Sequence, residues 1–553
     1  MENAVARRCL RAAGLVALAL VGAGAANAAW SQGQLPLVIA LEGEADDDRF
    51  GASVAGLGDV DGDGWPDLLV GAGGWGETDR GKLYLYRGGP GFDGVADLEV
   101  EGERDNGGLG VRVAGLGQVN GDPFADFAAR DQVDATPHAL EVVRLYLGSS
   151  EPSGLAALVF AEDVPFCYGY GTSISSGDFS CDGHRDLVIG GFDYDRVVSD
   201  GISTALTETT LTDESAQWVV GEHVGHALIP NVETTIFGFW PYYLIVANDQ
   251  TTVTVSEGAP GLLFSAAPGD PYSIRDYRKG AVYVYLGGPG MDAEVDLTLN
   301  GEQASGFFGY AVAGAGDVNG DGCEDLLVGA YESDQAAPHA GRAYLYLGSP
   351  SLAAMGAPAL VLDGPLESST LGFAVAGVGD LDQDGFDDFA VGLPGLGSSG
   401  RPGQVWVLRG GQELDGVPDA VLEEGPSFGR AIAVAHDVDG DGFPDLVVGA
   451  PHDGPDMDGR VYLYRGGVVL DAEADAVIEG ATARYQFGSS LAGLGDVTGD
   501  GLADLLSGTY DSHVGSPPPY CGRAFVYGGA EPALIFADDF ESGDTSAWSV
   551  TMP

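Results

Sequence analysis

The sequence predicts an all-β protein, a seven-bladed β-propeller built from repeats, with a small β insertion in the third blade. First, a short acidic loop recurs with a period of about sixty residues, and a fixed period of this size marks a repeat architecture. Second, each period contains four short β-type runs and no helical periodicity. Third, a lone four-stranded sheet cannot bury both of its faces, whereas radial closure of seven sheets can. The seven loops, numbered 1 to 7 in chain order, begin at Asp59, Gln118, Asp178, Asp317, Asp380, Asp437 and Asp496.

The first repeat shows how the four strands are placed. Ser53–Val60 and Asp67–Gly71 are short β-type runs on either side of loop 1. Lys82–Arg87 alternates apolar and polar residues, as a half-buried strand does, and Ala96–Glu101 supplies the fourth run. A Phe-Gly pair then opens a unit, and such pairs begin at Phe50, Phe308, Phe428 and Phe487.

A β-type run that precedes the first repeat predicts how the ring closes. Leu35–Glu44 resembles the fourth strand that precedes each Phe-Gly pair, yet no earlier blade exists for it. We therefore expect it to complete the last blade beside Arg523–Tyr527 and to lock a propeller that spans residues 35–530. Residues 531–553 would follow as a C-terminal tail.

The long gap between loops 3 and 4 predicts an insertion. Residues 193–278 connect the second and third strands of blade 3 and are too many for a plain loop, so we expect an inserted β-subdomain. Its predicted strands are Thr207–Val219, Phe237–Val246 and Thr251–Val255. Trp240, Tyr242 and Tyr243 form either a recognition platform or the core of this subdomain, and the core is favoured.

The N-terminus predicts export. Arg7 and Arg8 precede an apolar run, and Ala26-Asn27-Ala28 is a small-x-small cleavage signal, so residues 1–28 are expected to be a signal peptide. No later stretch is long and apolar enough to span a bilayer. We expect a secreted or cell-surface protein. Of the four later cysteines, Cys167 and Cys181 are the favoured disulfide pair because they share a repeat, with the pairing of Cys323 and Cys521 left open.

The formal charge of −59, from 24 basic and 83 acidic residues, argues against nucleic acid or an anionic membrane as a partner. Such acidity has two explanations, high solubility or neutralisation by bound cations. The acidic loops favour the second, because many carboxylates fall at metal-ligand positions.

Each loop carries the donor set of a calcium site. Side-chain oxygens at positions 1, 3, 5 and 9, a backbone carbonyl at position 7 and a glycine at position 6 suit a hard, oxygen-seeking cation. No helices flank the loop, so it is a hairpin site and not an EF-hand. Loops 1, 5 and 6 have four aspartates each: Asp59, Asp61, Asp63 and Asp67; Asp380, Asp382, Asp384 and Asp388; Asp437, Asp439, Asp441 and Asp445.

The other loops form a graded series. Loop 4 has Asp317, Asn319, Asp321 and Asp325, whereas loops 3 and 7 place a hydroxyl at position 3 and should bind more weakly, with Asp178, Ser180, Asp182 and Asp186, and with Asp496, Thr498, Asp500 and Asp504. The position 7 carbonyls predicted to act as ligands are those of Trp65, Cys323, Phe386, Phe443 and Leu502. Loop 2 has Gln118 at position 1 and Pro123 at position 6, so we expect it to be metal-free. The sequence thus predicts three to six Ca²⁺ ions, in preference to Mg²⁺, which favours a tighter octahedron.

These motifs together resemble a known repeat. The Phe-Gly pair, the D-x-D-G-D-G-x-x-D loop and Gly449-Ala450-Pro451 are similar to the FG-GAP repeats of the integrin α-subunit propeller, over roughly residues 35–530. The resemblance implies a propeller fold and bound calcium. It carries function poorly, because one fold hosts many functions.

The sequence favours a non-enzymatic recognition or adhesion module for a protein or glycan, in which calcium stiffens the hairpins. The loops lie between strands 1 and 2, on one face of the ring, while the insertion lies on the opposite face, where a partner is expected. No Gly-x-Ser-x-Gly, His-Glu-x-x-His or phosphate-binding motif occurs, and no histidine recurs in every repeat. The alternatives are a carbohydrate-active hydrolase or lyase with its site at the channel mouth, and a purely architectural surface protein. The sequence does not predict the oligomeric state.

Overall fold

The computed structural model describes residues 35–530 except for 46, 134–139, 162–167, 194–196, 224–225, 233–242, 257–261, 263–265, 276–278, 304, 396–400, 456, 481–485 and 510–521. The predicted signal peptide, the tail, Cys167, Cys521, Trp240 and Tyr242 lie outside the described residues. No helix in the described part of the chain has the length and hydropathy needed to cross a membrane.

Seven four-stranded antiparallel sheets form a seven-bladed β-propeller, which confirms the predicted fold class. The chain begins with β1 (Leu37–Glu42), and blade 1 contains β2 (Phe50–Gly58), β3 (Asp67–Ala72), β4 (Lys82–Tyr86) and β5 (Leu98–Glu101). Blade 2 contains β6 (Val113–Gly117), β7 (Asp126–Val133), β8 (Leu140–Tyr146) and β9 (Leu158–Ala161). Blade 3 begins with β10 (Tyr168–Gly177) and β11 (Asp186–Asp193).

The insertion follows β11 and forms a separate sheet of seven strands: β12 (Val197–Ile202), β13 (Ala205–Leu206), β14 (Thr210–Thr212), β15 (Ala227–Ile229), β16 (Tyr243–Asn248), β17 (Thr252–Val255) and β18 (Pro271–Arg275). The predicted strand Thr207–Val219 is wrong in extent. Asp213 Oδ1 accepts a hydrogen bond from the Ser215 amide at 2.9 Å, and this turn ends the strand after Thr212.

The remaining blades repeat the four-strand order. Blade 3 is completed by β19 (Ala281–Tyr285) and β20 (Leu297–Asn300). Blade 4 contains β21 (Ala311–Gly316), β22 (Asp325–Ala330), β23 (Arg342–Tyr346) and β24 (Leu360–Asp363), with a 3₁₀ helix at Leu352–Gly356. Blade 5 contains β25 (Val375–Gly379), β26 (Asp388–Leu393), β27 (Gly403–Leu408) and β28 (Ala420–Glu424). Blade 6 contains β29 (Ala431–His436), β30 (Asp445–Ala450), β31 (Arg460–Tyr464) and β32 (Ala476–Glu479), and blade 7 contains β33 (Phe487–Gly495), β34 (Asp504–Thr509) and β35 (Arg523–Tyr527).

The ring closes as the sequence predicts. β1 pairs antiparallel with β35, with Leu41 opposite Ala524, so the N-terminal strand supplies the outer strand of blade 7. The first strand of each blade contacts the first strand of the next, and β33 contacts β2 to complete the circle. Leu41 is buried, because it packs into the core between blades 7 and 1.

In five of the seven blades the second strand is fully buried. Strands β3, β22, β26, β30 and β34 are buried along their whole length, which explains their continuous apolar sequences such as DLLVGA. By contrast, the outer strands β5 and β24 alternate between half-buried and exposed residues, apart from the buried Leu362 of β24.

Glycines account for the close approach of neighbouring blades. A Cβ on Gly71 of β3 would lie 2.1 Å from the carbonyl oxygen of Gly110, at the start of blade 2. No side chain fits at such a distance. The same contact recurs between Gly449 and Gly488, and Gly508 closes the ring against Gly51. The Phe-Gly glycine and the strand 2 glycine are therefore two sides of one blade-to-blade contact.

Candidate metal centres

Loop 1 shows how a short segment directs several carboxylates towards one point. Asp59 accepts hydrogen bonds at Oδ1 from the Gly62 amide at 2.6 Å and at Oδ2 from the Gly64 amide at 2.9 Å, so the chain wraps around the first aspartate. Asp67 is fully buried and accepts from the Gly88 amide at 3.0 Å, which ties the loop to the turn after β4. The bond from the position 6 glycine to the first aspartate recurs in loops 3 to 7.

Three loops bring their aspartates into metal-binding proximity. Carboxylate oxygens of positions 1, 3 and 9 lie within 4.8 Å of one another in loops 1, 5 and 6: Asp59, Asp61 and Asp67; Asp380, Asp382 and Asp388; Asp437, Asp439 and Asp445. These are the loops with four aspartates in the sequence. Such all-oxygen clusters suit a divalent cation.

The position 9 aspartates are buried carboxyls with raised pKa values. Burial raises the pKa of Asp67 to about 7 and that of Asp445 to about 8, although hydrogen bonds from backbone amides act in the opposite direction. Neighbouring carboxylates of the same loop raise these pKa values further. A cation at this point would supply the counter-charge that the folded protein otherwise obtains from protons.

Loops 3 and 7 also offer a neutral oxygen at position 3. The hydroxyl oxygens of Ser180 and Thr498 are buried and have no hydrogen-bond partner of good geometry. Ser180 lies close enough to Asp186 to lower the pKa of that carboxyl, but burial dominates and raises it to about 6. A buried oxygen that has no hydrogen-bond partner and lies beside a carboxylate is suited to act as a ligand of a metal ion.

Loop 2 is closed by its own side chains. Gln118 Nε2 donates to the Pro123 carbonyl at 3.0 Å, and Asn120 Nδ2 donates to Asp122 Oδ2 at 2.8 Å. The second bond recurs in loop 4, where Asn319 Nδ2 donates to Asp321 Oδ2 at 2.9 Å, so of the two only the Gln118 bond distinguishes loop 2 from loop 4. That loop 2 holds no metal stays a prediction.

Neighbouring loops touch one another around the ring. Position 4 of one loop lies against the position 7 side chain of the next, as Gly62 does against Phe124 and Gly320 does against Phe386. Between loops 3 and 4 this contact is a disulfide, Cys181–Cys323, with Cα atoms 4.9 Å apart. The predicted Cys167–Cys181 pair is therefore wrong. A cysteine at position 4 followed by one at position 7 of the next loop was the signal in the sequence.

An aromatic cluster lies on the opposite face, where strand 2 ends and strand 1 begins. Ring centroids are 4.4 Å apart for Tyr310 and Tyr331 and 5.2 Å apart for Tyr331 and Phe373, and Arg430 lies 4.9 Å from the Phe373 ring. The rings are only half-buried. We call this the aromatic patch; its members are Phe192, Phe307, Tyr310, Tyr331 and Phe373. No sequence motif indicates this patch, because its members come from three blades and are far apart in the chain.

In the insertion, described side chains belong mainly to a local core. Tyr243, from the suggested recognition platform, packs against the core around Leu228 and Ile274. His223 is buried edge-on against Trp218, and burial lowers its pKa.

The family comparison identifies the repeat. A family model described as FG-GAP repeat matches residues 50–86, 308–346, 371–408 and 428–464. These four segments of the chain are FG-GAP repeats. The matches fall on blades 1, 4, 5 and 6, which include all three loops with clustered aspartates.

Relatives with similar sequences are integrin α-subunits. Human integrin alpha-IIb is 41% identical over 191 residues, covering 33% of this chain and 18% of the relative. Xenopus laevis integrin alpha-5 is 37% identical over 202 residues, covering 34% of this chain and 18% of the relative. The chain thus spans about a fifth of the length of these relatives.

A solved structure, the intramolecular trans-sialidase from Ruminococcus gnavus in complex with oseltamivir carboxylate, aligns over 74% of this chain and 93% of that chain. The TM-score is 0.35 and the sequence identity is 12%. A similarity at this level supports no functional inference.

Proposed function

We propose that this FG-GAP protein is an exported, non-enzymatic recognition or adhesion module. Calcium ions in the metal loops rigidify one face of the ring, and the opposite face binds a protein or glycan. The observation that carries the proposal is the aromatic patch, because half-buried aromatic rings beside an exposed arginine are the composition of binding hot spots.

Calcium has a structural role in this proposal. The ligands are the aspartates at positions 1, 3, 5 and 9 of loops 1, 5 and 6, with the weaker sets of loops 3, 4 and 7 bringing the total to between three and six ions. The loops lie on the face away from the patch, so the ion would act through hairpin rigidity and would not touch the partner.

The binding test begins with a glycan array and a protein array probed in calcium and in EDTA. For the strongest ligand, a Tyr331→Ala/Phe373→Ala variant should lose about tenfold or more in affinity, because truncating aromatic hot spots costs ~2 kcal/mol. Phe124→Ala is the matched control, since it removes a half-buried ring from the metal face. A ligand that is lost with Phe124→Ala and unaffected by the double variant would contradict the face assignment.

A deletion separates the ring from the insertion. Replacing residues 195–276 by a short turn should leave the blades folded, because β11 already pairs with β19 from Leu187 to Gly191. If the inserted sheet contributes to the binding surface, affinity for the array ligand falls while the melting temperature of the ring stays near that of the parent. Unchanged affinity would confine binding to the aromatic patch.

The enzyme alternative is tested on the same protein. Beside the patch, Glu332 is paired with His339, an acid–histidine pair of the kind that a hydrolase or lyase needs. We expect no turnover of a polysaccharide panel. Release of sugar fragments that Glu332→Gln abolishes would establish the enzyme instead.

A further inference from the structure

Three arginines contact the carboxylate at position 3 of a metal loop. Arg409 Nη1 lies 2.8 Å from Asp382 Oδ2, and Arg465 Nη1 lies 3.3 Å from Asp439 Oδ2. Arg87 Nε lies 3.0 Å from Asp61 Oδ2, as an ion pair without a hydrogen bond of good geometry. The aspartate side chains are at most 6% exposed, whereas those of the arginines are 28–34% exposed. Each buried carboxylate therefore has a cation that reaches it from the surface.

The arginine follows the third strand of its blade and occurs only where position 3 is an aspartate. Blades 1, 5 and 6 combine the two residues. The other blades combine a neutral residue after strand 3 with a neutral residue at position 3: Leu147 with Asn120, Leu286 with Ser180, Leu347 with Asn319, and Gly528 with Thr498. The two positions thus change together in all seven repeats of the same chain.

This pairing equalises the charge at the ligand positions of the loops. Counted over positions 1, 3, 5 and 9, four carboxylates and one paired guanidinium give loops 1, 5 and 6 a formal charge of −3. Three carboxylates at the same positions give loops 3, 4 and 7 the same −3, while Arg185, Glu324 and Asp387 at position 8 of loops 3, 4 and 5 lie outside this count. Loop 2, with Asp122 and Asp126 alone, carries −2 and is the loop closed by amide side chains.

We propose that Arg87, Arg409 and Arg465 are built-in counter-ions of the metal loops, which lower the calcium affinity of the four-carboxylate loops towards that of the three-carboxylate loops. The inference rests on the proposed calcium sites. A fixed positive charge repels a divalent cation, and it compensates the buried aspartate when no cation is bound. Loops 1 and 3 to 7 then fill over a narrow range of calcium concentration, as expected of ions that together stiffen one continuous face.

Loop 1 allows the test to be made at a single site. Trp65 occupies position 7, where the other loops have Phe124, His184, Cys323, Phe386, Phe443 and Leu502. A terbium ion bound in loop 1 should therefore be excited through the indole of Trp65, and calcium affinity follows from displacement of the terbium signal. Trp65→Phe should remove the signal and so assign it to this loop.

The decisive variants form a double-mutant cycle of Asp61 and Arg87. Arg87→Leu, which installs the leucine of blades 2 to 4, should tighten calcium binding at loop 1 by about tenfold at low ionic strength, the order of the effect of one unit charge on a divalent ion a few ångströms away in water. Added salt should reduce the gain. Asp61→Asn alone should weaken binding. The double variant Asp61→Asn/Arg87→Leu, which copies Asn319 and Leu347 of blade 4, should return close to the parent affinity.

Arg80→Leu is the matched control. It removes the same charge from the opposite face, where Arg80 Nε lies 2.8 Å from Asp105 Oδ1, and should leave the affinity unchanged. Arg87→Gln repeats the measurement if the leucine variant folds poorly. Unchanged or weakened calcium binding in the Arg87 variants would overturn the inference, because the arginine would then be neutral or would position a ligand. Failure of calcium to displace terbium from the parent protein would instead refute the proposed calcium site.

Discussion

Backbone conformation, and not space, requires glycine at position 6 of the metal loop. In loops 1 and 3 to 7 this residue has φ between 90° and 97°, and a Cβ added there would meet no atom within 4 Å. The residues concerned are Gly64, Gly183, Gly322, Gly385, Gly442 and Gly501. Only glycine adopts such angles without strain. Proline in loop 2, whose φ is fixed near −65°, cannot, and this is why the sequence alone singles out that loop.

Gly385→Ala should therefore destabilise the protein by about 1 kcal/mol through backbone strain, and weaken calcium binding at loop 5. Gly91→Ala is the control, because Gly91 also has open space around it but lies outside the left-handed region. Denaturant unfolding in calcium and in EDTA measures both effects. Equal stabilities for the two variants would show that position 6 tolerates a side chain.

At the scale of elements, neighbouring metal loops contact one another. In loops 1, 2, 4 and 6 the position 4 glycine lies against position 7 of the next loop, and the Cys181–Cys323 disulfide is the covalent form of that contact. It joins residues 142 positions apart in the chain, across the whole insertion. Closing so long a segment restricts the unfolded chain strongly, so the bond should stabilise blades 3 and 4 against separation.

Removing this disulfide should lower the free energy of unfolding by about 2–5 kcal/mol. The Cys181→Gly/Cys323→Phe variant tests the covalent part, because it installs the glycine–phenylalanine contact that Gly320 and Phe386 make between loops 4 and 5. Thermal unfolding with and without a reductant is the measurement. The parent should respond to the reductant and the variant should not; a parent that melts identically in both conditions would contradict the stabilising role.

At the scale of the whole molecule, the seven position 9 aspartates are buried and have raised pKa values. Burial is the leading cause in each, and the pKa reaches about 6 for Asp126 and Asp186, about 7 for Asp67, Asp325, Asp388 and Asp504, and about 8 for Asp445. The metal-free folded protein therefore binds more protons than the unfolded chain between pH values of about 4 and 8. Its stability must fall as the pH rises through that window.

In EDTA, the melting temperature should fall between pH 5 and pH 8. The proposed calcium ions would replace the protons at the position 9 aspartates of loops 1 and 3 to 7, so the fall should be largely abolished in saturating calcium. Three histidines with lowered pKa values act in the opposite direction below about pH 6.5, namely His223, His436 and His452, but seven carboxyls outweigh them. Metal-free stability that rises with pH across this range would contradict the prediction.

Much of the fold and of the candidate metal loops could be predicted from the local spacing of residues. The D-x-D-G-D-G-x-x-D loop, the Phe-Gly pair and the strand 2 glycine recur at fixed offsets, and loop geometry depends on residues within nine positions of one another. The approximate positions of the four strands in blade 1 and the aspartates clustered in loops 1, 5 and 6 follow from this, although the strand ends differ from the predicted ones by up to three residues. In the insertion, where no repeat guides the reading, the turn at Asp213 ended a strand that was expected to continue.

The sequence by itself determined the number of blades, the closing strand and the donor set of each metal loop, because all of these follow from a short repeated motif. Only the tertiary structure decided which distant residues meet. The Cys181–Cys323 bond, the aromatic patch and the pairing of Arg87 with Asp61 each join residues from different blades or strands. The folding of blade 1 brings Arg87 to Asp61, and the packing of neighbouring blades brings the cysteines and the aromatic rings together, across chain separations that no local pattern spans.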